Sequence, residues 1–295
     1  MTSDTPNMNA FHSNWTKPYT LRNPGKPYHI EDYDLLTAIL SALQWRRHNG
    51  GIKMITDSIG AEYYHRLGLS HIWDLGVTTG LDALDGEAIF PLSFWAAGKI
   101  FALRQQPAPC MMIDTDFIVW KPLAVQVSGV TLSVAHREDL SDWIYPERPF
   151  FNMDASYRFP DEWDWTVLPC NTALLYIADE KFKDHYTSES IRFMRNLRET
   201  KDITAEMVFA EQRLLAMCAA AKGVRIKTFL DTANLDTQTS FTHVWGLKKE
   251  LQTDPGKRRE FCESCARRIH GDFPEEIPVL ERIESLRPYL WGGAK

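Results

Sequence analysis

The 295 residues carry 33 Lys and Arg against 39 Asp and Glu, a net charge of -6 with no long basic run, which excludes phosphate-driven binding to nucleic acid as the main task. At 44% hydrophobic and 24% charged, with 16 Gly and 16 Pro, the composition is that of a globular chain long enough for one large α/β domain, so disorder and fibrous repeats are excluded. No apolar stretch approaches the roughly 20 residues of a membrane helix, and the first residues lack the basic and apolar regions of a signal peptide. The five cysteines, Cys110, Cys170, Cys218, Cys262 and Cys265, read as dispersed reduced thiols, and the expectation is a cytoplasmic protein.

Residues 1 to 28 read as a polar lead-in followed by a short strand or loop. Leu36, Ile39, Leu40 and Leu43 recur at helical spacing and predict a helix from Glu31 to Arg47, stopped by Asn49-Gly50-Gly51. Ile52 to Ile55 predicts a buried strand ending at Thr56-Asp57. A helix from Gly60 to Leu67 and a strand from Ile72 to Leu75 follow. Phe94 to Arg104 predicts a helix that leads through a proline turn into a buried strand, Cys110 to Ile113, ending in Asp114-Thr115-Asp116.

Val130, Leu132 and Val134 alternate as a half-buried strand does, and Thr172 to Ile177 is an apolar run preceded by Asn171. Helices are expected over Asp179 to Glu199 and Thr204 to Lys222, then a strand over Val224 to Leu230. Beyond Leu230 the pattern is polar and helical without clear strands. This alternation predicts an α/β sheet of parallel character with helices on both faces. The expected organisation is one domain over residues 1–250 and a helical extension, 251–295, packed on it.

The carboxylates of Asp114 and Asp116 are two residues apart, so on extended backbone they point the same way from the end of an apolar strand. Ligands of open α/β sheets bind at that edge, and a hard cation such as Mg²⁺ or Mn²⁺ takes one or two carboxylates together with substrate phosphate oxygens. A solvated turn is the alternative reading of so short a motif.

Met112 to Leu123 resembles the Asp-x-Asp segment of GT-A-fold glycosyltransferases, in the glycogenin-like and bacterial polysaccharide group. Phe94 to Lys99 is similar to the helix that there places a basic residue near the donor diphosphate. Asn171 to Ile177 resembles the Asn-containing strand, without the Gly often found after the Asn, and Glu211-Gln212-Arg213 the acidic-Gln segment. Thr242 to Lys249 resembles the late His-x-x-Gly-x-x-Lys segment, His243, Gly246 and Lys249 keeping the spacing, with Glu250 where an aromatic is usual.

The resemblance implies a GT-A-like Rossmann-type mixed sheet flanked by helices, and transfer of a sugar from a nucleoside diphosphate donor, a UDP-sugar first, to a glycan or other acceptor. It implies Mn²⁺ or Mg²⁺ on Asp114, Asp116 and His243, with Asp114, Asp116 and Lys249 catalytic. Lys99, Asn171, Glu211, Gln212 and Lys248 fall on the donor side. Trp15, Lys17, Thr56 and Asp57, at the ends of the first two strands, are further donor candidates; Trp15 as a chain anchor and Asp57 as a helix cap are their alternatives. His243 has the alternative of a satisfied core or surface histidine.

Asp161, Trp163 and Trp165 form an acidic aromatic stretch suited to an acceptor sugar, or a solvated turn with two tryptophans tucked inward. Asp154 and Asp161 are both candidates for a general base. Cys262 and Cys265 lack the second ligand pair of a zinc ribbon and fit an exposed helix. Two rival functions share the pattern: a non-catalytic nucleotide-sugar or carbohydrate-binding protein, and a phosphohydrolase using Asp114 and Asp116. An acceptor held in a lipid would bring the chain to a membrane surface.

Overall fold

The computed structural model describes residues 8–235 and 237–290. The first residues of the lead-in, Asp236 and the last five residues of the C-terminal extension lie outside the described residues. Eleven strands occur among the described residues: β1 Ala10–Asn14, β2 Ile52–Thr56, β3 Val77–Thr78, β4 Cys110–Ile113, β5 Phe117–Val119, β6 Leu132–Arg137, β7 Asn152–Met153, β8 Cys170–Ile177, β9 Leu197–Glu199, β10 Ile226–Thr228 and β11 Phe241–His243. Seven form one sheet in the order β10-β6-β8-β4-β1-β2-β3. β8 runs antiparallel to its neighbours β4 and β6, while every other pair in the sheet is parallel. The expected α/β architecture, a mixed sheet flanked by helices with a helical C-terminal part, is present.

The strands read as apolar runs because both faces of the sheet are covered. Side chains alternate between them: Met111 and Ile113 of β4 join one hydrophobic cluster, Cys110 and Met112 the other. The first cluster is built on the helix Asp32–His48 and takes in Cys262, Ile269, Leu280 and Leu286 from the C-terminal part. Arg258 of the helix Pro255–Asp272 donates to Asp32 at 2.8 Å, and Gln44 donates to Asp272 at 2.6 Å, so the C-terminal part is fastened to the helix beside β1 and β2.

Several boundaries differ from the sequence expectations. Ile72 to Leu75 is a short turn of helix and a bend, with the strand displaced to Val77–Thr78, because Asp74 accepts from the backbone N–H of Ile52 and turns the chain before pairing begins. The helix after Asp179 stops at Asn196, and Leu197–Glu199 pairs with β7 instead. The helix before β4 begins at Ala97, after turns over residues 91–96. Beyond Leu230 there is a strand, β11, too short for an alternation signal and fixed by antiparallel pairing with β5. Cys262 and Cys265 are buried against the core, the opposite of the exposed helix face expected. Among the described residues no helix is long and apolar enough to cross a membrane.

Candidate metal and donor site

Every strand of the main sheet except β8 ends at one edge, and the polar residues gather there. Asp114 leaves β4 with its N–H on the Ala173 carbonyl at 2.8 Å, and Asp116 closes the turn into β5. β11 lies antiparallel to β5 with His243 opposite Phe117, and the Val244 N–H donates to the Asp116 carbonyl at 3.0 Å. Strand pairing thus delivers His243 to the second carboxylate. One ligand atom from each of Asp114, Asp116 and His243 lies within 4.8 Å of the others, and His243 Nε2 is 3.9 Å from Asp116 Oδ1.

Two lysines bracket this trio, each shared between two carboxylates. Lys99 lies 2.7 Å from Asp114 and also pairs with Glu211. Lys248 lies 2.9 Å from Asp116 and 3.1 Å from Asp34, a residue of the first helical turn after Asp32. Burial pushes the Asp114 carboxyl up despite Lys99, while at Asp116 the Lys248 ammonium and then His243 outweigh burial and hold it down. Burial first, then Lys99 among its cationic neighbours, holds His243 below the usual imidazole range, which favours the neutral ring whose nitrogen could serve a cation. Asp34, Asp114, Asp116 and Glu211 are four carboxylates against two ammonium groups, which leaves two negative charges. Two carboxylate oxygens and a neutral imidazole with that excess fit one hard or borderline divalent cation, Mg²⁺ or Mn²⁺.

Around this centre the other sequence candidates fall as follows. Glu211 and Gln212 lie on a π-helical turn, Phe209–Arg213, a widened geometry frequent at functional sites. Glu211 accepts from Thr172, and Gln212 from the Tyr145 hydroxyl at 2.6 Å. Asn171 donates to Glu138 at 2.9 Å. Spacing points to Lys249, but Lys248 turns inward and Lys249 is exposed on the same helix. Asp57 takes its alternative reading, accepting from the Gly60 N–H at 2.9 Å as the cap of the helix Ser58–Arg66 and from Thr16 through both oxygens.

Thr56 is buried with its hydroxyl on the Asn14 carbonyl at 2.6 Å. Lys17 pairs with Asp85 at the surface, 3.2 Å away. Trp15 packs against the start of the helix that carries Lys99: a Cβ at Gly98 would lie 2.7 Å from the Trp15 Cβ. Trp163 is buried, Trp165 stacks on Phe209 at 5.5 Å, and Asp161 is exposed on the wall of a cavity. Asp154 is held by Arg198 and Ser156.

Sequence reasoning missed Asp34, His136, Glu138 and Tyr145. His136 pairs in register with Asn171 across β6 and β8, and its Nε2 is 3.8 Å from Glu138. Only position signalled Asp34, in the first turn of a predicted helix, and His136 and Glu138, at the end of a predicted strand; nothing local marked Tyr145.

The fold is thus an α/β sheet with a carboxylate and histidine cluster, one that could hold a cation, at the carboxyl edge of its strands. The chain belongs to DUF6734, a family of unknown function that it matches over residues 8–283. No curated protein matches it.

Among solved structures it is similar to the PaToxG glycosyltransferase, with 12% identity over 96% of this chain and 87% of that one, TM-score 0.42. It is similar to mouse xyloside xylosyltransferase 1, with 9% identity over 78% and 90%, TM-score 0.39. With the glycosyltransferase GlyE of Streptococcus pneumoniae it shares 13% identity over 69% of this chain and 42% of that one, TM-score 0.36. These are loose likenesses of fold.

Proposed function

We propose that the protein is a metal-dependent glycosyltransferase that moves a sugar from a nucleoside diphosphate donor, a UDP-sugar first, to a glycan or other acceptor. The observation that carries this reading is the convergence of Asp114, Asp116 and His243 within 4.8 Å, flanked by Lys99 and Lys248, from separate segments in the order of the resembled motifs. Asp114, Asp116 and His243 would hold Mn²⁺ or Mg²⁺, which supplies Lewis-acid neutralisation of a departing diphosphate. Lys99 and Lys248 add positive charge where the leaving group gains negative charge, with Glu211 and Asp34 fixing their positions before any substrate arrives.

Donor contacts are proposed for Trp15, Lys17, Thr56, Asn171 and Gln212, with acceptor contacts on the side of Asp161. The same reading places the protein in the cytoplasm, with peripheral membrane contact where the acceptor is lipid-borne. It also treats residues 251–295 as a helical extension of one transferase domain. The test is a titration with uridine and guanosine diphosphates, with and without Mn²⁺, on wild type and Asp116→Ala. Mn²⁺-dependent UDP binding that the substitution abolishes in a folded protein is expected; donor affinity and turnover that survive it remove the metal role. Binding without turnover favours a carbohydrate-binding protein, and release of sugar 1-phosphate with UMP, or of inorganic phosphate from UDP, a phosphohydrolase.

A further inference from the structure

The segment between β6 and β8 leaves the site at Glu138 and returns to it at Asn171, its neck closed by the Glu138 N–H on the Pro169 carbonyl at 3.0 Å. Arg213, fully buried on the π-helical turn that presents Glu211 and Gln212, fastens the outer part. Its guanidinium donates to the carbonyls of Tyr145, Pro146 and Trp165 and pairs with Glu147. Behind this anchor the segment borders a cavity of about 560 Å³ open to solvent, within the range of small-molecule sites, whose walls include Arg148, Phe151, Tyr157, Phe159 and Asp161.

Two charged groups of the wall, Arg148 and Asp161, are exposed and uncommitted among the described residues. The Arg148 guanidinium lies over the rings of Phe159 and Trp165, 5.5 and 5.7 Å from their centroids, and makes no hydrogen bond or ion pair among the described residues. Stacking on two rings leaves its N–H edge for a bidentate oxyanion. The exposed Asp161 carboxylate likewise has no side-chain partner among the described residues. Asp154, by contrast, is taken up by Arg198 and Ser156.

A small inorganic anion uses the arginine but meets repulsion from Asp161, and a neutral sugar leaves the arginine fork unused. A pyranose that carries a carboxylate satisfies both, with its carboxylate on Arg148, its hydroxyls on Asp161, and its apolar face on the Phe159 side of the wall. We propose that this cavity is the acceptor subsite and that it takes an acidic sugar, a reading that rests on the proposed sugar transfer.

The test titrates the full chain, free of nucleotide and metal, with D-glucuronate, D-glucose and acetate, followed by saturation-transfer NMR. Glucuronate is expected to bind at least tenfold more tightly than either control, to lose at least tenfold in Arg148→Met, and to recover in part in Arg148→Lys. Equal response to glucose and glucuronate, absence of binding, or a response that survives Arg148→Met overturns the proposal. UDP binding with Mn²⁺, read on the same samples, reports separately. Its failure in the wild type sinks the transfer reading and leaves the glucuronate result to be judged alone, and its persistence in Arg148→Met shows that the variant is folded.

Discussion

The Ser41 hydroxyl donates to the Phe117 carbonyl at 2.6 Å, joining the helix Asp32–His48 to the residue that follows Asp116 and pairs with His243. Ser41 in turn receives the Nε2–H of His12 at 3.2 Å, and the Trp73 indole donates to His12 Nδ1 at 3.1 Å, which fixes the tautomer. All four residues are buried. Ser41→Ala strands the His12 donor and the Phe117 carbonyl. The expected result is a stability loss of about 1–3 kcal/mol for each unpaired group. A roughly 10- to 100-fold fall in Mn²⁺ affinity accompanies it, as for partners that orient metal ligands, measured by electron paramagnetic resonance titration at a temperature where the variant is folded.

The same chain makes a pH prediction. Burial lowers the His12 pKa from 6.5 to about 3, Asp116 opposing the shift. The unfolded chain therefore takes up a proton that the folded one refuses, so the His12 contribution is complete above pH 6.5 and is lost as pH falls from there toward 3. Urea unfolding at pH 7 and pH 5 should show stability dropping by up to about 1.4 kcal/mol per pH unit from this group. In His12→Gln that component should vanish; an unchanged slope removes His12 as its source.

Lys248→Met takes away an ammonium that Asp116 and Asp34 now share. The excess negative charge at the centre rises by one, so Mn²⁺ alone should bind about tenfold more tightly at pH 8, about 1.4 kcal/mol, while UDP in the presence of Mn²⁺ binds more weakly. Calorimetry with the metal and then the nucleotide separates the two. A parallel loss of both affinities contradicts the prediction.

Gly98→Ala should act at a distance from the ion. The new Cβ would stand 2.7 Å from the Trp15 Cβ and 3.0 Å from Leu81, where neither the end of β1 nor the helix carrying Lys99 has room to give. Overpacking of this kind costs about 1–3 kcal/mol, read as a lowered melting temperature, and UDP affinity should fall with it.

All five cysteines are buried, and burial pushes the Cys265 thiol up to about 12 and Cys262 higher still. A thiol held protonated is a poor nucleophile and metal ligand. Ellman's reagent should therefore find almost no reactive thiol in the native protein and all five after unfolding; prompt reaction of two would reopen a role for the Cys262 and Cys265 pair.

Long periodic elements were legible in the sequence, and short ones were not. The helix Asp32–His48 and the strand Cys110–Ile113 lie within a residue or so of where apolar spacing puts them, because burial on one stripe or on both faces leaves a pattern. β11 is three residues long and owes its existence to β5, a partner far away in the chain, so no local pattern could announce it. Which of Lys248 and Lys249 faces the carboxylates depends on where the helix over 248–253 begins, since neighbouring helical residues point about 100° apart. Asp57 shows the limit of position as evidence: the end of a strand and the start of a helix are the same place, and here both oxygens serve the backbone and Thr16.

The pairing of β11 with β5 also sets a schedule. Asp114 and Asp116 belong to one turn and take shape with it, but the imidazole of His243 arrives only after the intervening helices have packed and the chain has closed a very large loop. On the proposed metal role, tight ion capture is therefore expected only after β11 has docked on β5. A metal-sensitive signal followed during refolding would mark the docking of β11 and not the collapse of the core.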